Sequence, residues 1–281
     1  MSKNNPRYSI VIPCYNEEKF IAKTLISLNK QTYDGTKEII VVDNNCSDKT
    51  VEIAKSYGAK IVSESIPGVC HARQKGTLSA KGEIVISTDA DTIYTPKWLQ
   101  KIDNEFVKDP NLIAIAGPCK YRNGPWWATF YTTILFGSAY FYSKLTKHPY
   151  YLSATNFAFK KSAWEGYDVN LSQGGDEIAM IRQMKAKGKI LFLIGNPTLT
   201  SARRLRRGMI YNIFITFIYY YLMGYHLNRI FKREVIKPAP AYREDEIIPS
   251  LFSRLKTLMT LPYAAIQWAN SSLFSGDKEK K

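Results

Sequence analysis

YSIVIPCYNEE (8–18), read together with EIIVVDNNCSDKT (38–50) and EIVISTDAD (83–91), decides the fold. Each stretch opens on an apolar, β-branched run and ends in polar or acidic residues. The runs do not alternate with polar residues, which is the mark of strands buried on both faces, as in a parallel sheet covered by helices. Between them lie EEKFIAKTLISLNKQ (17–31), SDKTVEIAKSYG (47–58) and VCHARQKGTLSAKG (69–82), segments of helical length closed by caps and glycines. Ser47 is the expected cap of the second of these and Gly58 its end. AKIVS (59–63) reads as a third short strand, and TPKWLQKIDNEFVKD (95–109) as a helix after the fourth. The expected fold class is α/β, a doubly wound, mostly parallel sheet with helices on both faces.

Beyond residue 110 the pattern is less regular. Strands are expected over 112–118, 153–161 and 189–194, a long aromatic helix over 125–145 and another helix over 176–188. With 281 residues, 45% hydrophobic and 22% charged, the chain can bury a real core, which excludes disorder for most of it. Cys14, Cys46, Cys70 and Cys119 form no C-x-x-C pair, so neither a disulfide scaffold nor a structural zinc site is expected. The apolar run before Pro13 is too short for the core of a signal peptide. No internal repeat is visible.

Basic charge gathers near the end. Residues 201–281 carry 14 Lys and Arg against 6 Asp and Glu. The uncharged, aromatic stretch 209–228 is framed by RRLRR and RIFKR. Nucleic-acid-binding tails interleave charge with aromatics, whereas here the two are in separate blocks, so no nucleic-acid partner is expected. The blocks suit an anionic membrane surface, with helices in the interface anchored by Arg203, Arg204, Arg206, Arg207, Arg229, Lys232 and Arg233. Tyrosines spread through 209–228, and Lys and Arg at both ends, argue against a simple span. A second interfacial element is expected over 251–274, broken by Pro262. A helical subdomain or an oligomer interface would also account for these segments. The organisation expected is a catalytic part over 1–200, divided at 118/119, and a membrane-associating part over 201–281, at the cytoplasmic face of the cell membrane.

The chemistry is expected beyond the carboxyl ends of the strands, where open α/β sheets collect ligands. Three clusters stand there: Pro13-Cys14-Tyr15-Asn16-Glu17, Asp43-Asn44, and Asp89-Ala90-Asp91. Neither G-x-G-x-x-G nor G-x-x-x-x-G-K-[ST] occurs, so any diphosphate must have its charge met otherwise. Asp89 and Asp91, two residues apart in extended backbone, project to one side and can offer hard oxygens to a divalent metal, Mn2+ or Mg2+. A helix-entry turn in which Asp91 or Thr92 merely caps is the alternative.

IVIPCYNEE, VVDNNCSDKT, Arg73 in HARQKGTLSAKGEIV, STDAD and GGDEIAMIRQMKAKG together resemble, in order and spacing, the family 2 glycosyltransferases. These are inverting, nucleotide-sugar-dependent enzymes of the GT-A fold, and the resemblance covers roughly residues 7–200. It implies that Pro13, Tyr15 and Glu17 lie against the donor nucleoside, and that Asp43 and Asn44 stand where paired aspartates read the base. The amide at 44 leaves UDP- and GDP-sugars both open. It implies further that Arg73 lies near the nucleotide, unless it is a solvated helix charge, that Asp91 is the direct metal ligand, and that Asp89 is nearer the ribose and metal. Asp176 matches the catalytic base, although Gly175 replaces the usual glutamate before it and a bland N-cap is the competing reading.

On the acceptor side, the aromatics of 125–145 suit a lipid-linked or cell-envelope acceptor, or a buried core helix. Asn156, Arg203 and Arg204 are candidates for acceptor or phosphate contacts. Two other functions compete: a sugar-nucleotidyltransferase on a similar sheet, and a non-catalytic basic adaptor at a membrane surface.

Overall fold

A computed structural model of the chain describes residues 5–169, 176–231, 235 and 236. Expectations for 172–175, for Lys232 and Arg233 and for 251–274 lie outside the described residues. The backbone alternates strand and helix as far as residue 108: β1 (Tyr8–Cys14), α1 (Ile21–Asn29), β2 (Lys37–Asp43), α2 (Thr50–Ser56), β3 (Lys60–Ser63), α3 (Val69–Ser79), β4 (Ile84–Ser87) and α4 (Trp98–Lys108). There follow β5 (Leu112–Ala116), β6 (Cys119–Arg122), α5 (Trp126–Thr146), β7 (Phe157–Lys160), α6 (Asp176–Lys187), β8 (Lys189–Phe192) and β9 (Thr198–Ser201). A tight turn, Arg203–Arg207, leads to a π-helical stretch, Tyr211–Met223, and to α7 (Gly224–Phe231).

The described residues build a sheet in the order β3-β2-β1-β4-β7-β5-β8. β1 to β4 are parallel, as are β5 and β8; β7 alone runs against its neighbours. Side chains alternate across each strand. Ile10 and Ile12 of β1 pack with Leu25, Leu28, Trp98 and Ile102 on one face, while Val11 packs with Val42, Val85 and Phe159 on the other. Both faces are covered, so uninterrupted Ile and Val runs are what the strands require. Each such side chain fully buried contributes roughly 1.5–3 kcal/mol.

Two details depart from the sequence reading. Ser47 does not cap α2. Its backbone N–H is held by Asn16 Oδ1 at 2.7 Å, and the helix starts three residues later, where Asp48 Oδ1 accepts from the Thr50 N–H at 3.0 Å. A second, two-stranded sheet also forms, with β6 parallel to β9. It was not expected, because four residues of TLTS offer no apolar run. The boundary expected at residue 200 falls inside β9. The chain divides into compact units Met1–Ala241 and Tyr242–Lys281, and β9 with the segment after it belongs to the first.

Candidate active site

The carboxyl ends of β1, β2 and β4 meet at one edge because the three strands are parallel and adjacent. The loops after β1 and β2 are tied together. Asn16 and Ser47 bond each other, and Glu18 Oε2 accepts from the Lys49 N–H at 3.1 Å. Asn16 and Asn45 take left-handed backbone (φ 54° and 67°), which asparagine tolerates best after glycine. Pro13 is partly buried at this edge, and Tyr15 is half exposed beside it. Asp43 Oδ1 accepts from the Cys46 N–H at 2.9 Å, closing the turn.

Asn44 lies inside this framework. Its Nδ2 donates to the carbonyls of Glu64 and Ile66, both at 2.8 Å, and its Oδ1 accepts from the Gly68 N–H at 2.9 Å. Both amide protons are engaged, so in this structure the side chain shapes the 64–68 loop.

Four charged side chains gather beyond β4. Arg73, on α3, donates through Nη2 to Asp89 Oδ1 at 2.9 Å. Arg203, at the start of the turn after β9, grips Glu17 with both nitrogens: Nη1 to Oε2 at 2.8 Å and Nη2 to Oε1 at 2.7 Å. Its Nη2 also lies 3.1 Å from Asp91 Oδ2, and its guanidinium stacks 4.9 Å from the Phe20 ring centroid. Asp91 Oδ1 accepts from Thr200 Oγ1 at 3.1 Å. Burial pushes the Asp91 carboxyl above the usual range, Arg203 pulls it back, and Asp89 and Glu17 add to the rise. Burial also works against the charge of Arg203, yet Glu17 and Asp91 hold that charge more firmly than water would. A buried pair broken on one side leaves an uncompensated charge, so these groups act as a unit.

Thr200 and the inward turn of Arg203 escaped the sequence reading. Thr198 and Thr200 alternate inward along TLTS, a period-2 signal that was there to be read. Arg203 was expected either at the membrane or at a phosphate, and it faces the carboxylates instead. Arg204 is exposed, as its place in the basic block suggests.

Asn156 is 3% exposed, and its side chain is fully engaged within the protein. Nδ2 donates to the carbonyls of Pro118 (3.0 Å) and Asn196 (2.8 Å), and Oδ1 accepts from Trp98 Nε1 at 2.9 Å. It braces the joint between β5, β7 and α4, and a Cβ on Gly117 would overlap its amide. Asp176 is the first residue of α6. Its neighbour Glu177 lines a small cleft with Arg73, Ser87, Tyr167 and Met180, which brings the start of α6 to the side of Arg73.

Among the described residues no group of three or more His, Cys, Asp and Glu is disposed to hold a metal ion. Asp89 and Asp91 fit such an ion by chemistry, since they offer hard oxygens and would leave positions for phosphate oxygens. Fit at Asp91 requires that Oδ2 be released by Arg203.

Residues 9–167, more than half of the chain, match the model of glycosyl transferase family 2. The chain belongs to that family. This glycosyltransferase is 32% identical over 108 residues to AglE, a glycosyltransferase of Haloferax volcanii, an alignment covering 36% of each chain. It therefore spans about a third of the length of that relative. Among solved structures it resembles S. aureus TarS 1–349 in complex with UDP-GlcNAc (TM-score 0.58, 20% identity, 69% of this chain and 58% of that one). It is similar also to the mannosyltransferase PcManGT of Pyrobaculum calidifontis in complex with GDP-Man and Mn2+ (TM-score 0.56, 20% identity, 71% and 58%). The shared fold is GT-A, the fold that the strand order anticipates. Membership sets aside the nucleotidyltransferase and adaptor readings.

Proposed function

We propose that this chain transfers a sugar from a nucleoside-diphosphate sugar to a hydroxyl acceptor, with inversion, at an anionic membrane surface. The observation that carries the reading is the edge where Glu17, Asp43, Asp89 and Asp91 meet at the ends of parallel strands, with no glycine-rich phosphate loop in the chain. The donor complexes of TarS and PcManGT, one with UDP-GlcNAc and one with GDP-Man, support a nucleotide sugar and leave the base open. Asp89 and Asp91 would hold Mn2+ or Mg2+, which when bound offsets charge developing on the departing nucleoside diphosphate. Pro13 and Tyr15 line the nucleoside side of the edge. Arg73 keeps the Asp89 carboxylate oriented. Asp176, opening α6 beside the Arg73 cleft, takes the proton from the acceptor hydroxyl as it attacks the anomeric carbon from the face opposite the diphosphate.

The membrane part of the reading rests on α5. Its inner face (Trp127, Ala128, Thr132, Phe136, Ala139) is buried. Its outer face carries Trp126 (84% exposed), Phe130, Ile134, Phe141 (73%) and Leu145 (84%), one turn or two apart. Residues 110–164 contain six Lys or Arg and no Asp or Glu. An apolar stripe in an acid-free, basic setting suits the headgroup region of an anionic bilayer. Trp127 and Ala128 pack on Ala202 and Leu205, so exposed Arg204 and Arg206 stand beside the stripe. Among the described residues no helix is long and apolar enough to cross a membrane, which favours in-plane contact for 209–228. An acceptor carried on a lipid would be presented at such a surface.

The test is nucleoside diphosphate release from UDP- and GDP-sugars with Mn2+ and a lipid-linked acceptor. Release should fall at least ~10²-fold in EDTA and in Asp91→Asn, the scale of losing several kcal/mol of metal assistance. Release unchanged under both conditions sinks the metal assignment.

A further inference from the structure

We infer that Arg203 is a built-in counter-cation that occupies the donor site when it is empty and must leave Asp91 when a divalent ion enters with the nucleoside diphosphate. The inference rests on the proposed metal role of Asp89 and Asp91.

The geometry argues for it in three steps. First, the acceptors of Asp91 are engaged by the protein: Oδ1 by Thr200 at 3.1 Å and Oδ2 by Arg203 at 3.1 Å. A divalent ion approaching Oδ2 would meet a guanidinium on the same atom, and two cations do not share one carboxylate oxygen at contact distance. Second, the site is close to charge balance without any ion, because Arg73 faces Asp89 while Arg203 faces Glu17 and Asp91. Third, the backbone beneath Arg203 is held. Ala202 and Leu205 are buried against Trp127 and Ala128, and the turn ends at Gly208 with φ 88°. The side chain can swing while the turn stays in place.

A diphosphate gives the displaced guanidinium a new bidentate anion, which its planar fork suits. Metal and nucleotide therefore assist each other through Arg203. A metal alone must displace it without compensation, whereas a metal with nucleotide hands it a partner. The basic turn is thereby coupled to donor occupancy, since Arg204 and Arg206 of the same turn face outward next to the α5 stripe.

The experiment measures Mn2+ binding by electron paramagnetic resonance, with Mn2+ alone and with saturating UDP or GDP, on the full chain. Arg203→Met should bind Mn2+ alone about tenfold more tightly than wild type, and the gain in Mn2+ affinity on adding nucleotide should shrink, both within the usual 5–150-fold range of site coupling. Arg203→Lys, which keeps the charge but cannot fork, should fall between the two. Melting of Arg203→Met should be rescued by Mn2+ alone more than melting of wild type, because the ion replaces the missing cation on Glu17 and Asp91. Unchanged or weaker Mn2+ binding in Arg203→Met, with Asp91→Asn abolishing binding in both backgrounds, overturns the inference and leaves the metal assignment standing. Mn2+ binding indifferent to Asp91→Asn overturns the metal assignment itself, and the inference with it. Should the variants not fold, a crystal structure of wild type with Mn2+ and UDP decides: the guanidinium away from Asp91 supports the inference, and a retained Arg203–Asp91 pair beside a bound ion refutes it.

Discussion

Asn156→Ala should cost stability and leave the chemistry alone. The side chain holds three buried partners: the carbonyls of Pro118 and Asn196, and the Trp98 indole N–H. Pro118 would not be orphaned, because its carbonyl also accepts from the Thr198 N–H at 3.1 Å. The Trp98 N–H and the Asn196 carbonyl would be left without this partner, at about 1–3 kcal/mol each. The central expectation is therefore about 3–4 kcal/mol, large against the ~5–15 kcal/mol that holds a domain together. Urea unfolding at 25 °C, followed by tryptophan fluorescence, should show a lower midpoint with the same slope. Asn156→Asp separates polar satisfaction from packing. It keeps the volume but turns a carboxylate toward two carbonyls, so the introduced carboxyl has its pKa raised in the fold. Its penalty should be absent below the unfolded carboxyl pKa, near 3.9, and grow as pH rises through the folded value. Transfer per folded molecule should match wild type in both variants. A loss under about 1 kcal/mol with transfer abolished would refute this account and return Asn156 to the substrate contact that its place in SATNFAF suggested.

Asp176→Asn should keep UDP or GDP affinity by calorimetry while turnover falls about 10²–10⁴-fold, the usual range for a lost general base; normal turnover places the base elsewhere. Phe130→Glu combined with Phe141→Glu should reduce cosedimentation with phosphatidylglycerol vesicles and leave nucleotide binding intact. Retention of full binding would mean that α5 does not face the bilayer. Burial raises the Cys46 thiol to about 11 from the ordinary 9.0, which leaves about 100-fold less thiolate at pH 8. Higher nucleophilicity returns up to about tenfold of that, so iodoacetamide should label Cys46 roughly tenfold more slowly in the native protein than in urea. Equal rates would show the thiol to be open to solvent.

The architecture was legible where burial alone dictates sequence. β1, β2 and β4 are sealed on both faces, so their Ile and Val runs could hardly be anything else, and their ends follow within a residue or two. The α2 cap was misread for a local reason with a distant cause. Ser47 has the right chemistry for a cap, but Asn16, 31 residues away, claims its N–H. β9 was invisible for the opposite reason. Its partner β6 lies 79 residues upstream, and four residues of threonine, leucine and serine carry no signal until that partner is in place.

Chain direction alone brings Glu17, Asp43, Asp89 and Asp91 to one edge, and that much any reader of strand order can infer. Which way a polar side chain turns at that edge is another matter. Asn44 and Asn156 both sit where a ligand contact would be expected, and both close on the backbone around them, because a buried amide has four hydrogen bonds to satisfy and the nearest carbonyls lie within the fold. Arg203 shows the converse. In RRLRR it is one of four like charges, and a block of charge reads as a solvated or membrane-facing surface. Yet burying Glu17 and Asp91 without a cation would cost several kcal/mol per charge. The carboxylates at the strand ends therefore call for a basic residue from somewhere in the chain. Once Leu205 is seated against Trp127 and Ala128, Arg203 is placed to supply it while Arg204 and Arg206 remain in solvent. The block divides because two buried acids in the catalytic half recruit one of its members, a pairing that charge counts along the chain do not contain.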